Sequence, residues 1–136
     1  VARRQTPAAD GSLRTITLRT MNRAQRDRIF LRLDDEAAGL CYGVFELGRY
    51  IRVGAPTLEI DSRQRVHVLH LSGPNQFTHS VYSLNGDRVA QQTVPGDISS
   101  VRLEPDAEQG YRISGAGATP TPGEPMVQPL PLRRGL

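Results

Sequence analysis

The alternation of apolar and polar positions is sharpest between Thr57 and Val94, where four short runs, TLEID, RVHVLHLS, FTHSVYSL and DRVAQQTV, follow one another. Period-two patterning with β-branched and aromatic residues predicts strands, and short connections between them predict an antiparallel meander. Asn85-Gly86 is the strongest turn signal, because both residues tolerate the positive φ of a two-residue hairpin turn. Placing Leu84 opposite Asp87 sets Tyr82 against Val89, Val81 against Ala90, Ser80 against Gln91 and His79 against Gln92. A turn at Ser62-Arg63-Gln64 sets Leu58 against Val68, Glu59 against His67 and Ile60 against Val66. The connection Gly73-Pro74-Asn75-Gln76 is expected to pair Ser72 with Phe77, hence Val68 with Val81 and His70 with His79. Since alternate residues share a face, one face would carry Leu58, Ile60, Val66, Val68, Phe77, Val81, Ala90 and Val94. The other would be mixed, with Thr57, Glu59, His67, Thr78, Ser80, Gln91 and Thr93 alongside Leu69, Leu71, Tyr82 and Val89.

The flanking sequence repeats the theme. Leu13–Arg19 alternates with Ile16 and Leu18 inward, Met21–Asp27 is a polar connector, and Arg28–Asp34 alternates again before the charged turn Asp34–Gly39 and a strand from Leu40 to Leu47. Arg49–Val53 is an extended crossing, and short strands follow around Val101–Leu103 and Tyr111–Ile113. About nine short strands separated by turn signals predict an all-β chain, an antiparallel two-sheet sandwich or a small propeller-like sheet pack. Residues 1–12 have no periodicity and are expected as an extended arm. Residues 13–118 form one domain. Residues 119–136, TPTPGEPMVQPLPLRRGL, form a Pro-rich tail that favours polyproline II over a sheet strand, since proline lacks the ladder donor.

Composition narrows the picture modestly. With 136 residues, 38% hydrophobic and 23% charged, the chain has material for one core. No apolar run is long enough to span a bilayer as a helix, and the amino terminus lacks a hydrophobic signal core, so the chain is expected to be processed or a fragment. The single cysteine, Cys41, excludes an intramolecular disulfide and is expected to pack as a small apolar group. All 17 basic residues are arginine, yet 14 acidic residues hold the net charge to +3. That balance is weak for a polyanion binder.

At the meander, Pro56-x-Leu58-x-Ile60-Asp61 followed by Val66-His67-Val68-Leu69, then Phe77-x-His79-x-Val81-Tyr82 and Asn85-Gly86, resembles a β-propeller blade of the exported bacterial kind. It is also similar to a group of uncharacterised exported bacterial β-proteins, which share the same cadence ending in a small-residue run, here Ile113–Gly117. The resemblance covers about residues 56–117 and implies export, to a secreted or cell-envelope location, with no activity attached. A whole propeller needs at least about four blades, more strands than this chain supplies.

Candidate chemistry is sparse. His70 across from His79 would give two imidazoles for a metal ion, but the third ligand is missing, so no metal is expected. Glu59, His67 and Tyr82 would align on the opposite face as acid, base and hydroxyl, without the cleft that catalysis needs. The serines lie in no nucleophile elbow, and Asp34-Asp35-Glu36 lacks the spacing of a calcium loop. No cofactor motif is present. Arg23, Arg26, Arg28 and Arg32 cluster near the first hairpin, and few aromatics are available for base stacking, so nucleic acid ranks below protein as a partner. The sequence therefore points to a non-enzymatic structural or interaction subunit of an extracellular or envelope assembly, a homo-oligomer or multi-subunit complex. Arm and tail would dock on neighbouring chains through Arg3, Arg4, Leu130, Leu132, Arg133, Arg134 and Leu136. The alternative is a binding module for carbohydrate or an anionic polymer, nucleic acid included, through Arg and Tyr residues.

Overall fold

The computed structural model describes residues 2–23, 26–49, 56–96 and 101–115. Ten strands account for most of them: β1 (Ala2–Pro7), β2 (Leu13–Arg23), β3 (Arg26–Asp35), β4 (Leu40–Arg49), β5 (Thr57–Ile60), β6 (Val66–Gly73), β7 (Gln76–Tyr82), β8 (Arg88–Pro95), β9 (Arg102–Asp106) and β10 (Gly110–Ser114). All pairings are antiparallel between chain neighbours, giving one four-stranded sheet β1-β2-β3-β4, a second β5-β6-β7-β8, and the hairpin β9-β10. The chain is all-β, as its periodicity predicts, and none of the described residues forms a helix that could cross a membrane.

The two larger sheets face each other. Ile16, Leu18, Ile29, Leu31 and Leu33 from the first interleave with Leu58, Val66, Val68, Tyr82 and Leu84 of the second in one buried cluster. Burying each such side chain is worth about 1.5–3 kcal/mol. A buried arginine joins the layers: Arg14 of β2 donates from Nη1 to the Leu84 carbonyl at 2.8 Å and stacks 3.9 Å over the Tyr42 ring. The β9-β10 hairpin covers the opposite face of the second sheet. Val101 and Ile113, with Leu103, pack on Leu69, Leu71, Phe77 and Val94 there. The expected sandwich is thus present, with the hairpin as a third layer.

Several local expectations change. Residues 2–7, within the stretch expected as an arm, pair with β2 of their own chain from Ala2↔Leu18 to Pro7↔Leu13. The stretch expected as a polar connector instead continues β2 and β3 as one long hairpin closing at Arg23↔Arg26. Cys41 is exposed rather than packed, because the bulges of β4 turn it toward solvent. The turn around Asn85-Gly86 is not a two-residue one. Ser83 and Asp87 bracket three residues, the Gly86 amide donates to the Ser83 carbonyl at 3.1 Å, and only Gly86 has positive φ, 90°. This is a turn followed by a left-handed glycine. A bulge between Val81 and Tyr82 absorbs the extra residue, so Val81↔Ala90, Ser80↔Gln91 and His79↔Gln92 pair as predicted, while Tyr82 meets Arg88 instead of Val89.

The β6-β7 register decides the faces. Pro74 and Asn75 form the expected two-residue loop with Gly73 opposite Gln76, but Ser72 is bulged out and Leu71 takes Phe77. The slip of one residue flips every side chain of β7 relative to β6. Val68 faces Ser80 and Leu69 faces His79. Phe77, Val81, Ala90 and Val94 therefore lie on the hairpin side, with Glu59 and His67, while Thr78, Ser80 and Tyr82 turn toward the first sheet beside Val66 and Val68.

Candidate functional site

The same slip separates one histidine pair and builds another. His70 sits opposite Thr78, on the face toward the first sheet, so the expected His70–His79 pair is not formed. Its neighbour there is β4: a Cβ on Gly48 would lie 3.7 Å from His70 Nε2. Burial lowers the His70 pKa, opposed in part by the nearby Leu47 backbone. His67 and His79 come together instead, on adjacent strands of the hairpin-covered face. Their rings stack at 5.1 Å between centroids, and His67 Nδ1 lies 2.8 Å from His79 Nε2.

Asp61 anchors the chain of contacts. It begins the loop between β5 and β6, where Arg63 and Arg65 amides donate to its Oδ1 at 2.8 and 3.0 Å. The sequence makes this loop because an Asp side chain accepts bonds from amides two and more residues ahead, and Gln64 takes positive φ, 62°, to close it. The other oxygen, Oδ2, accepts from Arg65 Nε at 2.9 Å and from His67 Nε2 at 2.7 Å. Asp61, His67 and His79 form one line of hydrogen bonds, and both imidazoles are fully buried.

The electrostatics follow from these contacts. Burial alone would raise the Asp61 pKa, but the His67 hydrogen bond, the Arg65 amide and the Arg65 charge outweigh it and bring it to about 2. His79 is pushed down to about 3 by burial and by the charge His67 would carry. Asp61 is therefore ionised, His67 Nε2 must carry the proton it shares with Asp61, and the neutral His79 donates from Nε2 to His67 Nδ1 whenever that nitrogen is unprotonated. That leaves His79 Nδ1 as a bare lone pair, and it has no hydrogen-bond partner among the described residues.

The β9-β10 hairpin seals this line. Arg65 Nη2 donates to the Gln109 carbonyl and Arg63 Nη1 to the Glu108 carbonyl, each at 2.9 Å. Gly110 passes so close that a Cβ there would overlap Asp61 Oδ2, and its φ is 84°. Tyr111 sets its ring edge-on to His67 at 5.3 Å and donates its hydroxyl to Glu59 Oε2 at 3.3 Å. Burial and the Glu59 carboxylate raise the Tyr111 pKa. The trio expected as Glu59, His67 and Tyr82 is corrected here. Glu59 and His67 are cross-strand partners, but Tyr82 is on the other face, packed on Phe45 at 4.6 Å, and Tyr111 supplies the hydroxyl.

The remaining candidates are committed locally. Arg3 pairs with Glu36 at 2.8 Å, Arg32 with Asp34 at 2.8 Å, and Arg28 with Glu46. Asp35 Oδ1 accepts the Ala38 amide at 3.1 Å, so the acidic turn satisfies itself. Arg4 lies on β1 opposite Ile16, with its positive charge close enough to act on Tyr111. Leu130, Leu132, Arg133, Arg134 and Leu136 lie outside the described residues, as does most of the expected Arg49–Val53 crossing. Among the described residues no group of three or more His, Cys, Asp and Glu is placed to hold a metal ion. The Asp61–His67–His79 line escaped sequence reasoning, although Asp61 six positions before His67 across a tight Arg-rich loop was a usable signal. Pairing His67 with His79 needed the Ser72 bulge. No family model, no curated protein and no solved structure matches this chain.

Proposed function

We propose that this protein is a non-enzymatic interaction subunit of an extracellular or envelope assembly, joined to copies of itself through residues 119–136. One observation carries this reading: the three histidines are buried and many charged side chains of the described residues pair with one another. The acid–base line Asp61–His67–His79 is buried under the hairpin, whereas a catalytic base must reach its substrate. Among the described residues seven arginines pair with carboxylates, Arg3–Glu36, Arg14–Asp10, Arg28–Glu46, Arg32–Asp34, Arg65–Asp61, Arg102–Glu104 and Arg112–Glu104, which weakens the local field that an anionic polymer would need.

Sheet edges and a few exposed apolar residues remain for contact. Strand β1 is an edge of the first sheet, and Leu13, Leu40 and Val44 are exposed on that sheet. An edge strand accepts an extended segment by main-chain hydrogen bonds. The sequence Pro129-Leu130-Pro131-Leu132-Arg133-Arg134 offers apolar anchors on a segment that loses little entropy when held extended. Export is supported by the resemblance of residues 56–117 to exported bacterial β-proteins. The test is light scattering of the full chain beside a version ending at Ala118. Assembly by the full chain and a monomeric, folded truncation support the proposal; two monomers, or assembly by both, overturn it.

A further inference from the structure

The Asp61–His67–His79 line lies where the β9-β10 hairpin is fastened to the second sheet, and its last nitrogen has no hydrogen-bond partner among the described residues. We propose that this line is an acid-released latch: uptake of a proton opens the β9-β10 hairpin and uncovers the apolar surface of Leu69, Leu71, Phe77 and Val94.

The hydrogen-bond arithmetic makes the line intolerant of an added proton. If His79 takes it, Nδ1 becomes an N–H donor inside the protein, facing no acceptor among the described residues. If His67 takes it, Nδ1 becomes a donor toward His79 Nε2 at 2.8 Å, so His79 must shift its own proton to Nδ1 to accept. Either route ends with the same unpartnered N–H and a net charge under the hairpin. Both are costly in a dry interior.

The groups around the line relieve that charge only in part. Asp61, the nearest anion, lies 2.7 Å from His67 but is already shared with Arg65. Glu59 of β5 faces His67 but accepts the Tyr111 hydroxyl of β10, and Arg4 of β1 adds positive charge near that tyrosine. From β8, Ala90 and Gln92 face this side, neither of them titratable. On the hairpin the charged residues pair elsewhere: Glu104 with Arg102 and Arg112, and Asp106 Oδ2 with the Glu108 and Gln109 amides. His70 belongs to the other face.

Opening lets water solvate the rings, and what must be broken is limited. Among the described residues the hairpin is held by the Arg63 and Arg65 bonds to its turn, the Tyr111–Glu59 bond, the Tyr111 ring on His67 and one small apolar cluster. The first sheet and its core with the second take no part in that cluster. The sign follows from His79, whose pKa falls from 6.5 to about 3 in the closed state. The closed state is favoured above the solvent-exposed value and loses ground as pH falls from there toward the closed-state value. The opening equilibrium then rises by up to about tenfold per pH unit, on the order of a hundredfold between neutral pH and about pH 4.5.

The test is hydrogen–deuterium exchange on the full chain, with protection of the amides in 102–114 referred at each pH to those in β2 and β3. The expected result is a fall of about two orders of magnitude in this ratio over that range, retained in His70→Gln and flattened to less than about tenfold in His79→Gln. Glutamine keeps a donor for His67 Nδ1 without a titrating ring. A ratio unchanged by pH in the native chain overturns the latch, as does loss of protection in all strands together. Where His79→Gln folds, a fall equal to the native one also overturns it. NMR titration of the native His79 ring supplies the check that needs no variant: its titration must coincide with hairpin opening, and a ring that protonates while the hairpin amides stay protected contradicts the proposal.

Discussion

Replacing Asp61 by asparagine removes one charge and almost no volume. The carboxylate titrates at about 2 against an ordinary 3.8. At about 1.4 kcal/mol per pH unit, that difference is worth about 2 kcal/mol of stability at neutral pH. The amide does further harm. Oδ2 accepts from both Arg65 Nε and His67 Nε2, and an NH2 group placed there sets donor against donor. The alternative rotamer turns the NH2 toward the Arg63 and Arg65 amides, which are donors too. A buried group left unsatisfied costs about 1–3 kcal/mol, so Asp61→Asn should destabilise the fold by about 3–5 kcal/mol and lower the melting temperature by about 10–20 °C. The assay is urea unfolding followed by circular dichroism at neutral pH and again near about pH 3. The Asp61 contribution is fully present above the unfolded value of 3.8 and is lost as pH falls through about 2. Its charge-dependent part should therefore shrink to about half by about pH 3. A variant within about 0.5 kcal/mol of the native protein at neutral pH would refute the reasoning.

Other perturbations probe separate parts of the fold. Arg14→Met should cost about 2–4 kcal/mol in the same assay, because it removes the bond to the Leu84 carbonyl and the contact over Tyr42; a neutral result would show that the apolar core alone aligns the sheets. Gly86→Ala places a Cβ against the Tyr42 carbonyl at a φ of 90°, and a loss of more than about 2 kcal/mol is expected by thermal melting. Leu31→Ala, at the centre of the sheet-to-sheet core, should cost about 2–5 kcal/mol in urea. Cys41 is exposed, so the native protein should react fully with a thiol reagent without denaturant, and protection would contradict its place on β4.

Strand identity was legible where alternation was clean and turns were short. Leu58, Glu59 and Ile60 meet Val68, His67 and Val66 as their spacing implies, because one tight loop fixes that register. Bulges were not legible. Ser72 has no sequence mark that separates a bulged serine from a paired one, yet its bulge decides that Val81 and Phe77 face the hairpin and Tyr82 the core. At the next turn a second bulge cancelled the error of a two-residue loop, so the register survived. The polar connector after Thr20 hid a long hairpin, since Asn22 and Arg23 carry no alternation while backbone pairing continues through them. The buried line shares both traits. Asp61 and His67 were joined by a readable loop, but His79 entered only through the unread bulge.

The enclosed Asp61–His67–His79 line is the centre of this account, and nitrogen-detected NMR of the histidine rings tests it most directly. His79 of the closed chain is expected to carry its proton on Nε2 and a bare Nδ1 at neutral pH, and to be still neutral at about pH 5, its pKa held far below the ordinary 6.5 by burial. A His79 ring that is protonated in the folded chain at that pH, with the titration of a solvent-exposed histidine, would contradict it.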